Sequence, residues 1–362
     1  MALELLSRRL ATTISKYLRD AVDAFTRNRK LLAMLRSKGK ITFGHSGKDV
    51  DWGVEYAQGD MAQYTGDKTF IPVDRFKRAV LDWGGYEVTD AIQKREKLMN
   101  RGKEALIKVY GEMAKRMKRD LEQQFPGRLI NADGNASGSE NEISGLNTFF
   151  SVSAAVAASV PVGLNNDTYA GLSTAPANYG GSWEQSGGND IWPLGTGDAE
   201  YDFWRPLVVL YDSANFSAST ANWKNNCEEA LAFGIDHSNR NGTADGSMDL
   251  ILLWRDGFRQ FKDVQRAKER INVSTDSPLY KLGFRDMFNF DGVDVTSEFD
   301  IPNAYGYGIP TSMMELMSMQ DELFDMTQSF DHASDTDRFS SSFHGQLKCE
   351  SIRHFTQWRT TP

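Results

Sequence analysis

The fold is decided by residues 90–127, which read DAIQKREKLMNRGKEALIKVYGEMAKRMKRDLEQQFPG. Asp90 and Gln93 resemble a helix capping box, and Pro126 followed by Gly127 predicts the end of the helix. About 35 residues at 1.5 Å each would form a rod of roughly 50 Å, several times the mean helix length of globular proteins. Apolar residues recur near the helical period, at Val88, Ile92, Met99, Leu106, Val109, Met113 and Leu121.

A long two-stranded excursion is predicted before this helix, over residues 48–86. DWGVEY and TFIPVDRFKRAVLDW are rich in β-branched and aromatic residues, and a polar, Gly-containing tip separates them. An isolated hairpin is only marginally stable in water, so it needs another surface to lie against. Its aromatic residues are therefore predicted to contact a neighbouring subunit; they are Trp52, Tyr56, Phe70, Phe76 and Trp83.

The N-terminal residues 3–35 also have helical spacing, with an apolar stripe and a basic opposite side, and Gly39 ends the pattern. Such an arm would pack either on a neighbouring subunit or on its own core. The stripe consists of Leu3, Leu6, Leu10, Ile14, Leu18, Val22, Phe25, Leu32 and Leu35.

Beyond the long helix, the sequence predicts a mixed α+β arrangement without internal repeats. PLVVLYDS and GSMDLILLW are predicted strands, and ANWKNNCEEALAFGIDHSN and RDGFRQFKDVQRAKERIN are predicted helices. VDVTSEFDI, PTSMMELMSM and GQLKCESIRHFTQW are further strand candidates. A Gly-rich and aromatic stretch, residues 165–183, contains no Lys, Arg or His and predicts a close-packed turn with Tyr169 and Trp183 as anchors.

Charge is unevenly distributed along the chain. The formal net charge of all 362 residues is −8. Residues 1–40 carry +7 and residues 93–120 carry +6, so the remainder carries −21. Two basic helices on an otherwise acidic protein indicate surfaces for different partners, although two solvated helix faces would give the same pattern.

Residues 133–144, DGNASGSENEIS, begin like a calcium-binding loop. Asp133 and Asn135 occupy the first and third positions, but Ser144 stands at the twelfth, where such a loop has a bidentate Glu. A polar turn is therefore the favoured interpretation, and the sequence predicts no metal ion.

No arrangement of catalytic residues emerges from the sequence. Cys227 together with His237 could form a thiol site, but helical spacing favours Cys227 as a packed residue. Phosphate-binding loops, hydrolase elbows and zinc-ligand spacings do not occur. The sequence therefore predicts neither an enzyme nor a cofactor.

The order of these parts, together with several short stretches, resembles one protein family. The stretches are ISGLNTFFS, DTYAGLST, DLILLWRDGFRQF, FNFDGVDVTSEFDIPN followed by GIPTSMMELMSMQDELF, and GQLKCESIRHFTQW. The chain resembles the major capsid protein of tailed double-stranded DNA bacteriophages, which has the Hong Kong 97-type α+β fold.

This resemblance implies four parts. Residues 1–47 would be an N-terminal arm and residues 48–86 the extended hairpin called the E-loop. Residues 87–214 and 312–362 would form a peripheral domain, with a spine helix at about 90–124. Residues 215–311 would form an axial domain that meets its copies at the centre of hexamers and pentamers.

The same resemblance implies a shell around packaged DNA. The basic side of the spine helix would face the DNA without sequence specificity, and its candidate residues are Lys94, Lys97, Arg101, Lys108, Lys115 and Lys118. Other implied partners are a portal, a separate scaffolding protein and a decoration protein, with assembly in the host cytoplasm and no membrane involved. An encapsulin-like protein compartment and a non-specific DNA-coating protein are the alternatives.

Overall fold

The computed structural model describes residues 29–55, 76–99, 103–150, 152–156, 161–165, 167–174, 204–216, 220–239, 247–267, 278–284, 286–332 and 334–361. The helices are α1 (Lys30–Ser37), α2 (Lys94–Met99), α3 (Lys103–Asn131), α4 (Trp223–Ser238), α5 (Arg255–Ala267) and α6 (Pro278–Lys281). The strands in the first half of the chain are β1 (Ile41–Thr42), β2 (Asp49–Glu55), β3 (Phe76–Asp82), β4 (Gly84–Gln93), β5 (Val152–Val156), β6 (Gly163–Asn165), β7 (Thr168–Tyr169) and β8 (Leu172–Ser173). Those in the second half are β9 (Leu207–Leu210), β10 (Leu250–Leu253), β11 (Met287–Phe290), β12 (Val293–Ser297), β13 (Gly306–Ile309), β14 (Met314–Ser318), β15 (Asp325–Asp331), β16 (Thr336–Cys349) and β17 (Thr356–Arg359).

A five-stranded sheet is built around the long strand β16. β4 runs antiparallel along one edge of β16, while β15 and β14 pair with successive parts of its other edge. β1 extends the sheet by pairing in parallel with β14. Outward and inward residues alternate along β4 and β16, as expected for a sheet with one packed face.

α3 covers the packed face of the five-stranded sheet. Met113 and Met117 of the helix meet Ile92 of β4 and Phe339 of β16 in one buried cluster. Further along the helix, the centroids of the Phe125 and Phe343 rings lie 4.8 Å apart in an edge-on arrangement. The spacing of these helix residues, four and eight, produces the single apolar stripe that the sheet requires.

A six-stranded sheet in the order β11-β12-β10-β13-β17-β9 forms the second layer. β10 at its centre and β9 at its edge are continuous buried apolar runs, LILL and LVVL, because both faces of the sheet are covered. α4 covers one face, where the Trp358 indole donates a hydrogen bond to the Ala230 carbonyl at 2.8 Å. On the other face, Tyr307 packs against Phe150.

The predicted spine helix was wrong at both ends. Residues 84–93 form β4 because ten of them pair with β16, and the Asp90 carboxylate accepts a hydrogen bond from Ala91 instead of capping a helix. The spacing of four between Val88 and Ile92 also fits a strand, where it keeps both on one face. At the other end, Pro126 lies inside α3, whose last turn is held by buried Leu129 and Ile130.

The predicted domain boundaries also differ from the sheet memberships. β9 and β17 fall in the predicted peripheral segments, yet they pair with each other in the six-stranded sheet, where β17 also pairs with β13. The stretch GQLKCESIRHFTQW therefore crosses between sheets instead of forming one closing strand. The pairing of β9 with β17 joins residues about 150 positions apart, which local sequence patterns do not specify.

The described end of the predicted N-terminal arm is part of the body. Residues 31–35 of α1 are all buried, and β1 joins the five-stranded sheet. Gly39 has a φ of 66° and ends the helix, as predicted. Residues 3–28 of the predicted helix lie outside the described residues. Within the described part of the chain, no helix combines the length and apolar character needed to cross a membrane.

Candidate assembly surfaces

The stem of the predicted hairpin is formed by β2 and β3, which pair antiparallel over seven residues. One side of the stem is buried through Val50, Val54, Ala79 and Leu81. The opposite side is exposed and carries mainly acidic residues, including Asp51 and Glu55. The two-stranded excursion is confirmed, while Tyr56 and Phe70 at its tip lie outside the described residues.

Trp52 and Trp83 anchor the stem to the body of the same subunit. The Trp52 indole donates a hydrogen bond to the Glu350 carbonyl at 3.1 Å, and the Lys348 ammonium lies 5.3 Å from its ring centroid. The Trp83 indole donates to the Gly47 carbonyl at 3.2 Å. Both side chains pack against the main hydrophobic core, so their visible contacts are within the chain. Their predicted contact with a neighbour stays a prediction.

Phe76 behaves differently from the two tryptophans. It lies at the start of β3, and its side chain is 65% exposed. Seven large apolar side chains are exposed in the described part of the chain; they are Phe43, Phe76, Met99, Leu282, Phe299, Met319 and Phe330.

The Tyr-Ala-Gly stretch singled out in the sequence forms a tight turn between β7 and β8. Ala170 and Gly171 both have positive φ, 52° and 75°, as a two-residue type I′ hairpin requires. The Ala170 carbonyl accepts a hydrogen bond from the amide of Val80 in β3 at 2.9 Å. The turn is therefore bonded directly to the hairpin stem.

Tyr169 fixes this turn to the end of β16. Its hydroxyl accepts a hydrogen bond from the Cys349 amide at 2.9 Å and donates one to the Leu347 carbonyl at 3.3 Å. The ring is fully buried against Trp204, and burial raises the pKa of the phenol well above its ordinary value. The prediction that Tyr169 anchors a close-packed turn is confirmed, whereas Trp183 lies outside the described residues.

The start of α1 is held against the six-stranded sheet by partly buried ion pairs and hydrogen bonds. Arg29 lies 3.5 Å from the Glu298 carboxylate and 3.1 Å from that of Asp300. The Lys30 ammonium donates to the Thr296 hydroxyl and the Ser297 carbonyl at 2.7 and 2.6 Å. Desolvation lowers the pKa of Lys30 and raises that of Asp300, with Arg29 opposing the rise.

The polar loop after α3 is stabilised by its own turn contacts. The Asp133 carboxylate accepts a hydrogen bond from the Asn135 amide at 3.1 Å, and the Asn135 side chain bonds the Thr168 carbonyl. Gly145 lies so close to the end of α3 that a Cβ atom there would meet the Arg128 and Leu129 carbonyl oxygens at 2.8 Å. Only glycine permits this approach, so the loop packs tightly on the helix end.

The predicted basic residues fall into two groups. Lys94 is exposed and pairs with Asp335 at 2.8 Å, at the tip of the five-stranded sheet. Arg101 lies outside the described residues, and so do the side chains of Lys97, Lys108, Lys115 and Lys118. Arg116 and Arg119 of α3 are exposed; the sequence prediction did not include them, although their spacing of three within the same basic run was the available signal.

The overall arrangement is similar to solved phage capsid proteins. The capsid asymmetric unit of cyanophage A-1(L) matches with a TM-score of 0.57 at 14% identity, covering 91% of this chain and 93% of that one. The capsid of Myoviridae phage XM1 matches with a TM-score of 0.51 at 10% identity, covering 90% and 91%. The capsid of the native GTA particle matches with a TM-score of 0.51 at 11% identity, covering 91% and 90%.

The predicted α+β capsid fold is therefore confirmed. No protein-family model matches the chain, and no curated protein sequence matches it either. The similarity lies in the three-dimensional arrangement of the helices and strands and not in the amino-acid sequence.

Proposed function

We propose that this chain is the major capsid protein of a tailed double-stranded DNA bacteriophage. It self-assembles as hexamers and pentamers into an icosahedral head that encloses the genome. The observation that carries this proposal is the similarity of nearly the whole chain to the solved capsids described above. The proposed role is structural, with no enzymatic activity.

In this proposal the two sheets correspond to two domains of a shell subunit. The six-stranded sheet with α4 and α5 is the axial domain, and the five-stranded sheet with α3 is the peripheral domain. β2 and β3 form the stem of the E-loop, which reaches over a neighbouring copy. The exposed Phe76 at the described end of the stem supports this role, because burying its ring against another copy would remove apolar surface from water.

We further propose that α3 turns its basic side toward the packaged DNA. α3 covers one face of the five-stranded sheet, so its free side and the open face of that sheet lie on opposite sides of the domain. Arg119 is exposed on the free side, and positions 115 and 108 follow at steps of four and seven, which return to the same side of a helix. Phosphate contacts of this kind are independent of base sequence and weaken with salt.

The proposal includes partners outside the chain. These are a portal, a separate scaffolding protein and a decoration protein, with assembly in the host cytoplasm and a final location in the virion. The decoration protein would meet the outer face, for which the open face of the five-stranded sheet is the candidate.

Electron microscopy and light scattering of the purified protein test the proposal. The expected result is closed shells built from hexamers and pentamers. Shells that contain protein cargo and exclude nucleic acid would favour an encapsulin-like compartment. A monomer that coats DNA and never closes into a shell would favour the DNA-coating protein.

The orientation of α3 has its own test. The double variant Arg116→Gln and Arg119→Gln is expected to form shells that retain less DNA as salt is raised. Arg338→Gln is the matched control, because Arg338 is an exposed arginine on the open face of the five-stranded sheet. Equal DNA retention by the two variants would contradict the inward orientation of α3.

A further inference from the structure

Two of the most exposed phenylalanines in the described chain each lie beside a charge. Phe299 is 69% exposed and Phe76 is 65% exposed. The Arg255 guanidinium lies 6.0 Å from the centroid of the Phe299 ring. Glu55 pairs in register with Phe76 across the hairpin stem. The two patches therefore combine an aromatic ring with charges of opposite sign.

Phe299 is held outward by its two neighbours in the chain. Glu298 and Asp300 both turn toward Arg29, where their carboxylates are largely buried. Phe299 lies between them where the chain turns after β12, and its ring faces solvent. The buried ionic contacts with Arg29 thus maintain an exposed apolar group beside α5.

The ring borders an open groove of about 650 Å³ between α5 and the segment that follows β12. The groove also contains Arg259, which pairs with Asp256 at 3.3 Å, and Lys262, which pairs with Asp286 at 3.1 Å. Arg255 makes no ion pair with any residue in the described ranges. The groove therefore offers one cation that is free to receive a carboxylate from outside.

The end of the hairpin stem has the complementary chemistry. Phe76 and Glu55 are both exposed, and Glu55 has no ion pair among the described residues. Further down the stem, Asp51 is already engaged by Arg78 at 3.0 Å. Glu55 is thus an available carboxylate beside an available aromatic ring.

We propose that the Glu55–Phe76 end of the stem docks into the Arg255–Phe299 groove of a second copy of this chain. Both rings are exposed in the single subunit, so they do not satisfy each other within one chain. Docking brings Glu55 to Arg255 and buries the two rings together, and Phe and Arg are among the residues enriched at protein interfaces. This inference rests on the proposed shell function and names the surface that receives the stem.

The contact joins two different surfaces and is therefore heterologous. Repeated heterologous contacts close into rings when the rotation between copies permits it, which is the arrangement required of hexamers and pentamers. The charge pair selects the partner surface and its register, while the two rings supply the apolar burial.

Disulfide trapping tests the contact directly. Chains carrying Phe76→Cys and chains carrying Phe299→Cys are co-assembled and oxidised, and dimers are measured by non-reducing electrophoresis. Cys227 and Cys349 are buried, so the introduced thiols are the accessible ones. A dimer is expected in the mixture and not in either variant alone. Assembled particles without the mixed dimer, or equal dimer in a single variant, would overturn the proposal.

A matched control replaces the acceptor position. Phe330→Cys introduces a thiol at another exposed phenylalanine, on β15 of the five-stranded sheet. Co-assembly of Phe76→Cys with Phe330→Cys is expected to give no dimer above background. A dimer as abundant as that from the Phe299→Cys mixture would show that trapping reflects exposure alone, which contradicts specific docking.

Charge reversal provides a second, independent test. Arg255→Glu and Glu55→Arg are each expected to reduce the yield of assembled particles about tenfold, and the double variant is expected to restore it. Particles at full yield in both single variants, or no restoration in the double variant, would contradict the docking. An unsubstituted chain that remains monomeric would instead contradict the shell function itself.

Discussion

The two sheets of this protein bury their strands differently. β10 and β13 at the centre of the six-stranded sheet are runs of buried residues, with α4 on one face and Phe150 on the other. In the five-stranded sheet, β16 alternates between buried and more exposed residues, and β15 is largely exposed. The first sheet therefore contributes mainly stability, while the second combines a packed face with an open face that is available to partners.

The largest loss in the free energy of unfolding is expected from substitution of Trp358. The indole is fully buried on the α4 face, and Gly308 leaves room for it, because a Cβ atom there would meet the ring at 2.9 Å. Trp358→Ala is expected to lower the free energy of unfolding by about 3–5 kcal/mol, since it opens a cavity and removes a hydrogen bond. Denaturant titration followed by circular dichroism measures this loss.

Trp83→Ala is the matched control for Trp358→Ala. Trp83 is only partly buried, at the junction between the hairpin stem and the five-stranded sheet. A smaller loss is expected because less apolar area is removed from contact. Equal losses for the two tryptophans would remove the distinction between a sheet closed on both faces and its more open neighbour.

A smaller effect is expected where the turn of β7 and β8 meets the five-stranded sheet. Tyr169→Phe removes the hydroxyl that accepts from the Cys349 amide and leaves that buried donor without its partner. The expected loss in the free energy of unfolding is about 1–3 kcal/mol. An unchanged denaturation midpoint would mean that the hydroxyl contributes nothing to holding the turn on β16.

The open face of the five-stranded sheet should tolerate substitution. Thr327 of β15 and Ser340 of β16 share a hydrogen bond of 2.6 Å on this face. The double variant Thr327→Ala and Ser340→Ala is expected to change the free energy of unfolding by less than about 0.5 kcal/mol. A loss comparable to that of Tyr169→Phe would mean that the face is packed and not open.

The reactivity of the two cysteine thiols reports how readily the core beside each sheet opens, without any substitution. Cys349 lies in β16 and Cys227 in α4, and both are fully buried. Burial raises the pKa of the Cys349 thiol from 9.0 to about 12, so it stays protonated in the folded protein at pH 8. Neither thiol is expected to react with a disulfide reagent at pH 8 until the protein unfolds.

The sign of the pH effect follows from the same shift. The folded state disfavours the Cys349 thiolate, so its contribution to stability is complete below pH 9 and declines as pH rises through about 12. Rapid reaction of one thiol in the folded protein would show that the core around that thiol opens locally. Rapid reaction at Cys227 would mean that the core beside the six-stranded sheet opens more readily than that of the five-stranded sheet, the opposite of what is expected.

The sequence predicted those elements whose signal is local. LVVL and LILL were predicted as strands, and α4 was predicted within a few residues of its observed bounds. Val88 and Ile92 were assigned to a helix because a spacing of four fits both the helical period of about 3.6 and the strand period of about 2. Pairing with β16 places them in a strand. Pro126 was read as a stop, but packing of Leu129 and Ile130 continues α3 past it.

The candidate contact surfaces were predictable only in part. Phe76 was identified as a contact residue because an aromatic side chain on a hairpin needs a partner. Phe299 and Arg255 were missed as contact residues, and the exposure of Phe299 depends on Arg29 holding Glu298 and Asp300 from 269 residues away or more. A contact of that sequence separation leaves no pattern in the neighbouring residues.

The mass and shape of the purified protein decide whether this chain assembles into a shell. Light scattering combined with electron microscopy is predicted to reveal closed shells in which copies of this chain form rings of five and six. A stable monomer at all concentrations, with Phe76 and Phe299 remaining exposed, would contradict the account.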